Sequence, residues 1–102
     1  MSVLRMLRVR ADGARLQVVM NNDEARVQAV NARARELGAI HHQFVASADG
    51  SEVIVLDERE SPEAFQKSFE SSPEIPQIMR EVGVSSEPEI TFWHVLDTVD
   101  RF

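Results

Sequence analysis

Cysteine is absent from the 102 residues, which excludes disulfides, a thiolate nucleophile and any Cys-ligated zinc. Stability must come from packing or from association. Also missing is any apolar run near the roughly 18 to 20 residues that span a bilayer, and the start shows no charged segment followed by an apolar one. A cytoplasmic protein with no membrane contact is expected. Positive charge is scarce too: 11 Lys and Arg face 17 Asp and Glu, for a net charge of −6. The basic residues gather only at Arg5, Arg8 and Arg10 and at Arg33 and Arg35, with no interleaved aromatics. Proteins that bind phosphate backbones concentrate cations on one face, so nucleic acid is not an expected partner, and the acidic excess suits solubility. The three histidines form no His-x-His or His-x₃-His pair, so no metal is expected.

What is present fits one domain over residues 1–102, because cores and boundaries need roughly 100 to 150 residues each. Val3, Leu4, Leu7 and Val9 among bulky neighbours suit a first strand of about eight residues. Asp12-Gly13 breaks it, and "ARLQVVM", residues 14–20, is compatible with either helix or strand. Asn21 to Glu24 offer caps and first-turn acids, Val27, Val30, Ala34 and Leu37 recur at helical spacing, and Gly38 stops the run. A helix over about 23–37 follows. Residues 40–47 and 52–58 read as a hairpin, with Asp49-Gly50 expected in a type I′ turn whose two central positions need positive φ. Ser-Pro-Glu at 61–63 and again at 72–74 marks two helix starts, with serine as cap, proline in the first turn and glutamate at the positive end of the dipole. Phe65 and Phe69 stripe the first helix; Ile75, Ile78, Met79 and Val82 stripe the second, which Gly83 ends. "EITFWHVL" is the last strand, and residues 97–102 are a tail.

Strand, helix, strand, strand, helix, strand is an α+β arrangement, the ferredoxin-like βαββαβ antiparallel sheet with helices on one face. The other face should be polar if it met water. Yet Ile90, Phe92 and Leu96 alternate with Trp93 and Val95 on the last strand, so both faces carry large apolar groups. The expected cover is a second copy of the chain.

The stretches "GAIHHQF", "DGSEVIVLDE", "SPEAFQKSFESSPEIPQIM" and "PEITFWHVLD" resemble a small bacterial group within the dimeric α+β barrel superfamily, best known for the antibiotic biosynthesis monooxygenases. The resemblance covers residues 38–98 well and the first strand and helix loosely. It implies two ferredoxin-like subunits with their sheets face to face, each keeping a pocket between its own sheet and helices. Cofactor-free oxygenation, haem degradation and polyketide cyclisation all occur on that fold, and fold does not choose among them. The quinone-forming members resemble one another in using tyrosine with tryptophan and asparagine, and this chain has no tyrosine. The haem-degrading members carry a ligating histidine in the second helical region, and residues 61–83 contain none. No catalytic residue is carried over from either.

The histidines are therefore read from the hairpin. An even loop centred on Asp49-Gly50 sets Phe44 against Val55, His42 against Asp57 and His41 against Glu58. His42 then shares an apolar face with Ile40 and Phe44 and has a carboxylate about 5 Å away between Cβ atoms, with Arg59 one alternate step along. Such a pair can orient a ligand or move a proton, and it can equally be a satisfied structural pair. His41 points the other way as a surface or interface residue. His94 either packs or completes a pocket with His42. Two functions are open. One is a cofactor-independent, monooxygenase-like binder of a hydrophobic aromatic or polyketide-like compound, with His42 and Asp57 as the acid/base pair and Phe44, Arg59, Phe65, Phe69, Phe92, Trp93 and His94 around the ligand. The other is a non-catalytic homodimeric module, structural or regulatory.

Overall fold

The computed structural model describes residues 2–61, 63 and 72–102. In chain order these form β1 (Val3–Arg10), α1 (Gly13–Asn22), α2 (Glu24–Glu36), β2 (Ala39–Ala46), β3 (Glu52–Arg59), α3 (Glu74–Val82) and β4 (Glu89–His94). The four strands make one antiparallel sheet in the order β2-β3-β1-β4. This is the ferredoxin-like α+β architecture expected from the sequence. The helix expected after the first Ser-Pro-Glu, with Phe65 and Phe69, lies outside the described residues.

The ambiguous 14–20 segment is helical. Asp12 decides it: its Oδ1 accepts from the amides of Ala14 and Arg15 at 3.0 and 3.3 Å, so the residue read as a breaker is an N-cap. Asp23 caps α2 the same way through the Arg26 amide at 3.2 Å. The second Ser-Pro-Glu is a correction. Pro73, not Ser72, stands at the cap of α3, and no side chain bonds there. Ser72 is buried, its carbonyl accepts from the Ile75 amide at 3.2 Å, and its hydroxyl meets no described partner. Gly83 ends α3 at φ 79°, a left-handed conformation that costs a residue without Cβ little.

Pairing fixes which side chains share a face. Val9, Val53 and their neighbours pack with Leu16 of α1 and Ile78 and Val82 of α3 to form the core between sheet and helices. Opposite it, on the outer face, Leu4 and Met6 of β1 sit beside Ile54 and Leu56 of β3, Val45 of β2 and Trp93 of β4. Trp93 is 55% exposed there. The last strand stops at His94, short of the expected Leu96, although the Val95 amide still bonds to the Ser2 carbonyl at 3.1 Å.

The hairpin keeps the expected register from Ala46↔Val53 through His42↔Asp57 to His41↔Glu58, and slips only beyond it, between Ala39 and His41. Its turn is a second correction. Only Gly50 has positive φ (77°), so the turn is not type I′. Asp49 instead folds its side chain inward, where Oδ1 accepts from Ser51 N, Ser51 Oγ and Ser47 Oγ at 3.0, 2.7 and 2.9 Å. The Ser51 hydroxyl and amide, then the Ser47 hydroxyl, pull the Asp49 carboxyl down from the ordinary 3.8 to about 2. A depressed carboxyl stabilises the fold above its unfolded value and loses that contribution as pH falls through the folded one. Thermal midpoints of wild type and Asp49→Ala should therefore differ most at neutral pH and converge between pH 3.8 and about 2. A gap that persists unchanged at the acid end would show that the carboxylate does not organise the turn.

Candidate functional site

Asp57 lies on β3, two positions before Arg59, with its side chain toward the helices and only 4% exposed. Two strands deliver partners to it. β1 places Arg5 directly opposite, and Arg5 Nη2 donates to Asp57 Oδ2 at 2.7 Å; β2 places His42 opposite on the other side, with Nδ1 2.5 Å from Asp57 Oδ1. Each carboxylate oxygen thus serves one neighbour. Burial pushes the Asp57 carboxyl up, but the hydrogen bond and charge of His42 and then those of Arg5 more than offset it, so the group sits below the ordinary carboxylate value. An ionised Asp57 can only accept. His42 Nδ1 must then donate, which leaves Nε2 as the nitrogen available to a ligand, an acceptor on the neutral ring and a donor on the charged one.

His42 also meets Phe44 edge-on, with ring centroids 5.0 Å apart and planes at 87°. Arg59 is buried beside the pair and donates from Nη1 to the Ala34 carbonyl of α2 at 3.5 Å. Burial above all holds its pKa below the usual arginine value, with Asp57 opposing and Arg5 reinforcing the shift.

These residues border a cavity of about 420 Å³ between the sheet and the helices. Its far end is apolar, with Leu7, Val9, Val30 and Ile78 in the lining; its near end holds Arg5, His42, Asp57 and Arg59. His42, with 39% of its side chain exposed, stands at the mouth. The α2 wall carries no fully buried residue and is tied to α3 by two ion pairs, Arg26 to Glu81 and Arg33 to Glu74. Among the described residues no three potential ligands come together to hold a metal ion, and no helix is long and apolar enough to cross a membrane.

The structure brings His42, Asp57, Phe44 and Arg59 together and leaves the β4 residues apart. Trp93 pairs with Leu4 on the outer face, so the sheet itself separates it from the cavity. His94 cannot complete a pocket with His42, because β4 and β2 are opposite edges of the sheet, three strand spacings or roughly 14 Å apart. Phe92 lies opposite Arg5 on the helix side but does not border the cavity. Phe65 and Phe69 fall outside the described residues. Arg5 was missed, although a signal existed: it alternates with Val3, Leu7 and Val9, a charge at an inward position of an apolar strand.

No protein-family model and no curated protein matches the chain. Solved structures do match along nearly its whole length. A monooxygenase from the gene ActVA-Orf6 of Streptomyces coelicolor, in complex with nanaomycin D, is 18% identical with a TM-score of 0.67, covering 96% of this chain and 90% of that one. SnoaB, a cofactor-independent oxygenase from Streptomyces nogalater, is 16% identical at a TM-score of 0.65, with 98% of both chains covered. A dimeric ferredoxin-like protein from an uncultured marine organism is 15% identical at 0.68, with 99% and 93% covered. The likeness is one of fold: the chain has the ferredoxin-like α+β fold of these solved structures.

Proposed function

We propose that each chain contributes one ferredoxin-like domain, residues 1–102, to a homodimer, and that its cavity binds an apolar ring compound against the His42–Asp57 pair. The cavity of about 420 Å³ beside His42 carries this reading, since its size lies in the range of small-molecule sites and its polar groups converge at one end. A module built only for association has no use for such a space. The exposed outer face favours the dimer in either case, and a native mass spectrum of freshly purified protein would report subunit count and retained ligand together.

The chemistry proposed is cofactor-independent monooxygenation, which the likeness to a cofactor-independent oxygenase supports. His42 Nε2 takes a proton from an acidic C–H or O–H of the ligand, Asp57 steadies the imidazolium through Nδ1–H, and Arg5 keeps Asp57 ionised. The resulting anion is rich enough in electrons to be oxidised by dioxygen; one oxygen atom enters the product and the other leaves as water. Anthrone, whose ring CH₂ becomes the carbonyl of anthraquinone with consumption of one O₂ and release of one water, is a fitting probe. Oxygen uptake should be faster with protein than in buffer, and His42→Gln should slow it by roughly 10²- to 10⁴-fold. No acceleration by the wild-type protein would sink the oxygenase reading and leave the binder.

A further inference from the structure

The cavity's charge is lopsided. Among its described lining residues Asp57 is the one acid, already engaged by Arg5 and His42, while Arg5, Arg35 and Arg59 are all cations. This occurs in a chain whose net charge is −6. Arg5 is matched by Asp57 and Arg59 reaches the Ala34 carbonyl, so the asymmetry turns on Arg35. Arg35 lies in the last turn of α2, is exposed, lines the cavity and makes no ion pair with a described residue. Arg33, two positions earlier on α2, does the structural job of holding Glu74.

We infer that the ligand is an acid: an apolar ring compound bearing an ionised oxygen group, with its rings in the apolar end and its anion at the mouth between Arg35 and His42 Nε2. The inference rests on the pocket reading above and adds to it the ligand's charge. A cation at the rim of a low-dielectric cleft focuses its field outward, and on a net acidic protein it marks an entrance an anion would find favourable. Arg35 supplies a forked set of donors suited to a carboxylate, phenolate or sulfonate, and a His42 that keeps its proton on Nδ1 can take a second one from an acid or share it. A neutral ligand of the same shape would use the apolar end alone.

Two fluorescent probes that share one ring skeleton separate the terms: 8-anilinonaphthalene-1-sulfonate carries an anion, and N-phenyl-1-naphthylamine does not. Each is titrated into wild type, Arg35→Gln and the pocket-filled variants Val30→Trp and Ala34→Phe, with thermal melts confirming that each variant folds. The expected result is that wild type binds the sulfonate on the order of tenfold more tightly than the neutral probe, that Arg35→Gln and rising salt abolish this preference, and that either pocket-filling variant blocks both probes. Equal binding of the two probes in a pocket-dependent way, or a preference untouched by Arg35→Gln, would overturn the acid inference and leave the pocket reading standing. Binding of neither probe, or binding that survives pocket filling, would overturn both.

Discussion

Asp57→Asn should destabilise the protein by roughly 3 to 5 kcal/mol, and adding Arg5→Met to the same chain should return most of that loss. Asparagine keeps the shape of the side chain and removes its charge. What it takes away is the carboxylate that compensates a guanidinium 2.7 Å away, on a side chain only 15% exposed. Removing one partner of a buried pair costs far more than replacing both by neutral groups, because the remaining charge keeps its desolvation penalty. With only His42 beside it, the same substitution would cost little in an open pocket pair and roughly 1 to 3 kcal/mol in a dry structural pair; the buried Arg5 raises that expectation. Urea unfolding at neutral pH measures the effect. The Asp57 carboxyl is depressed in the folded state, so its contribution is complete above the ordinary 3.8 and fades as pH falls through the lower folded value. The wild-type and Asp57→Asn curves should accordingly approach each other in acid. A neutral-pH loss below about 1 kcal/mol, the worth of an ordinary hydrogen bond, would mean that the pair is not desolvated.

Leu56→Glu should convert the proposed dimer into a monomer. Leu56 is central to the outer face, with Met6 across on β1 and Gln43 across on β2. Leu4, Ile54, Val45 and Trp93 extend the apolar surface around it, and a patch of that kind is seldom left to water. In a two-fold pairing each substitution occurs twice, so two carboxylates would enter one apolar interface. A penalty on the order of 3 kcal/mol per dimer weakens association roughly a hundredfold. Sedimentation at micromolar concentration should show wild type at twice the 11.5 kDa chain mass and the variant at 11.5 kDa. Wild type sedimenting as a single chain would remove the dimer altogether. Leu56 faces away from the cavity, so probe binding in the variant should persist.

Local pattern made some features legible and not others. The hairpin register from Ala46 to His41 follows from an even loop and strict alternation, both visible in residues 40–58. The turn type does not, because three hydrogen bonds converging on Asp49 favour a backbone that the Asp-Gly pair alone does not specify. "ARLQVVM" alternates like a strand, and only the capping bonds of Asp12, two residues before the segment, make it a helix. The candidate site divides along the same line. His42 and Asp57 are neighbours in a hairpin, where sequence spacing sets spatial spacing. Arg5 reaches Asp57 through a pairing of β1 with β3 that spans 52 residues, and nothing local announces it. Residue type alone groups Trp93 and His94 with the pocket; strand order and face, which are global properties, set them outside it.

The α2 wall has an energetic meaning of its own. A helix with no fully buried residue, whose cavity-lining Val27, Val30 and Ala34 are only half covered, forfeits little apolar burial when it lifts. Its two ion pairs with α3, Arg26 to Glu81 and Arg33 to Glu74, are solvent-screened pairs of the kind that add little to stability. The sheet and the α1–α3 core do not depend on it. The cavity therefore has one wall fixed by strand pairing and one held by less apolar burial: the strands set where His42, Asp57 and Arg5 sit, while a shift of α2 would carry Arg35 and the Ala34 carbonyl that Arg59 meets along with it.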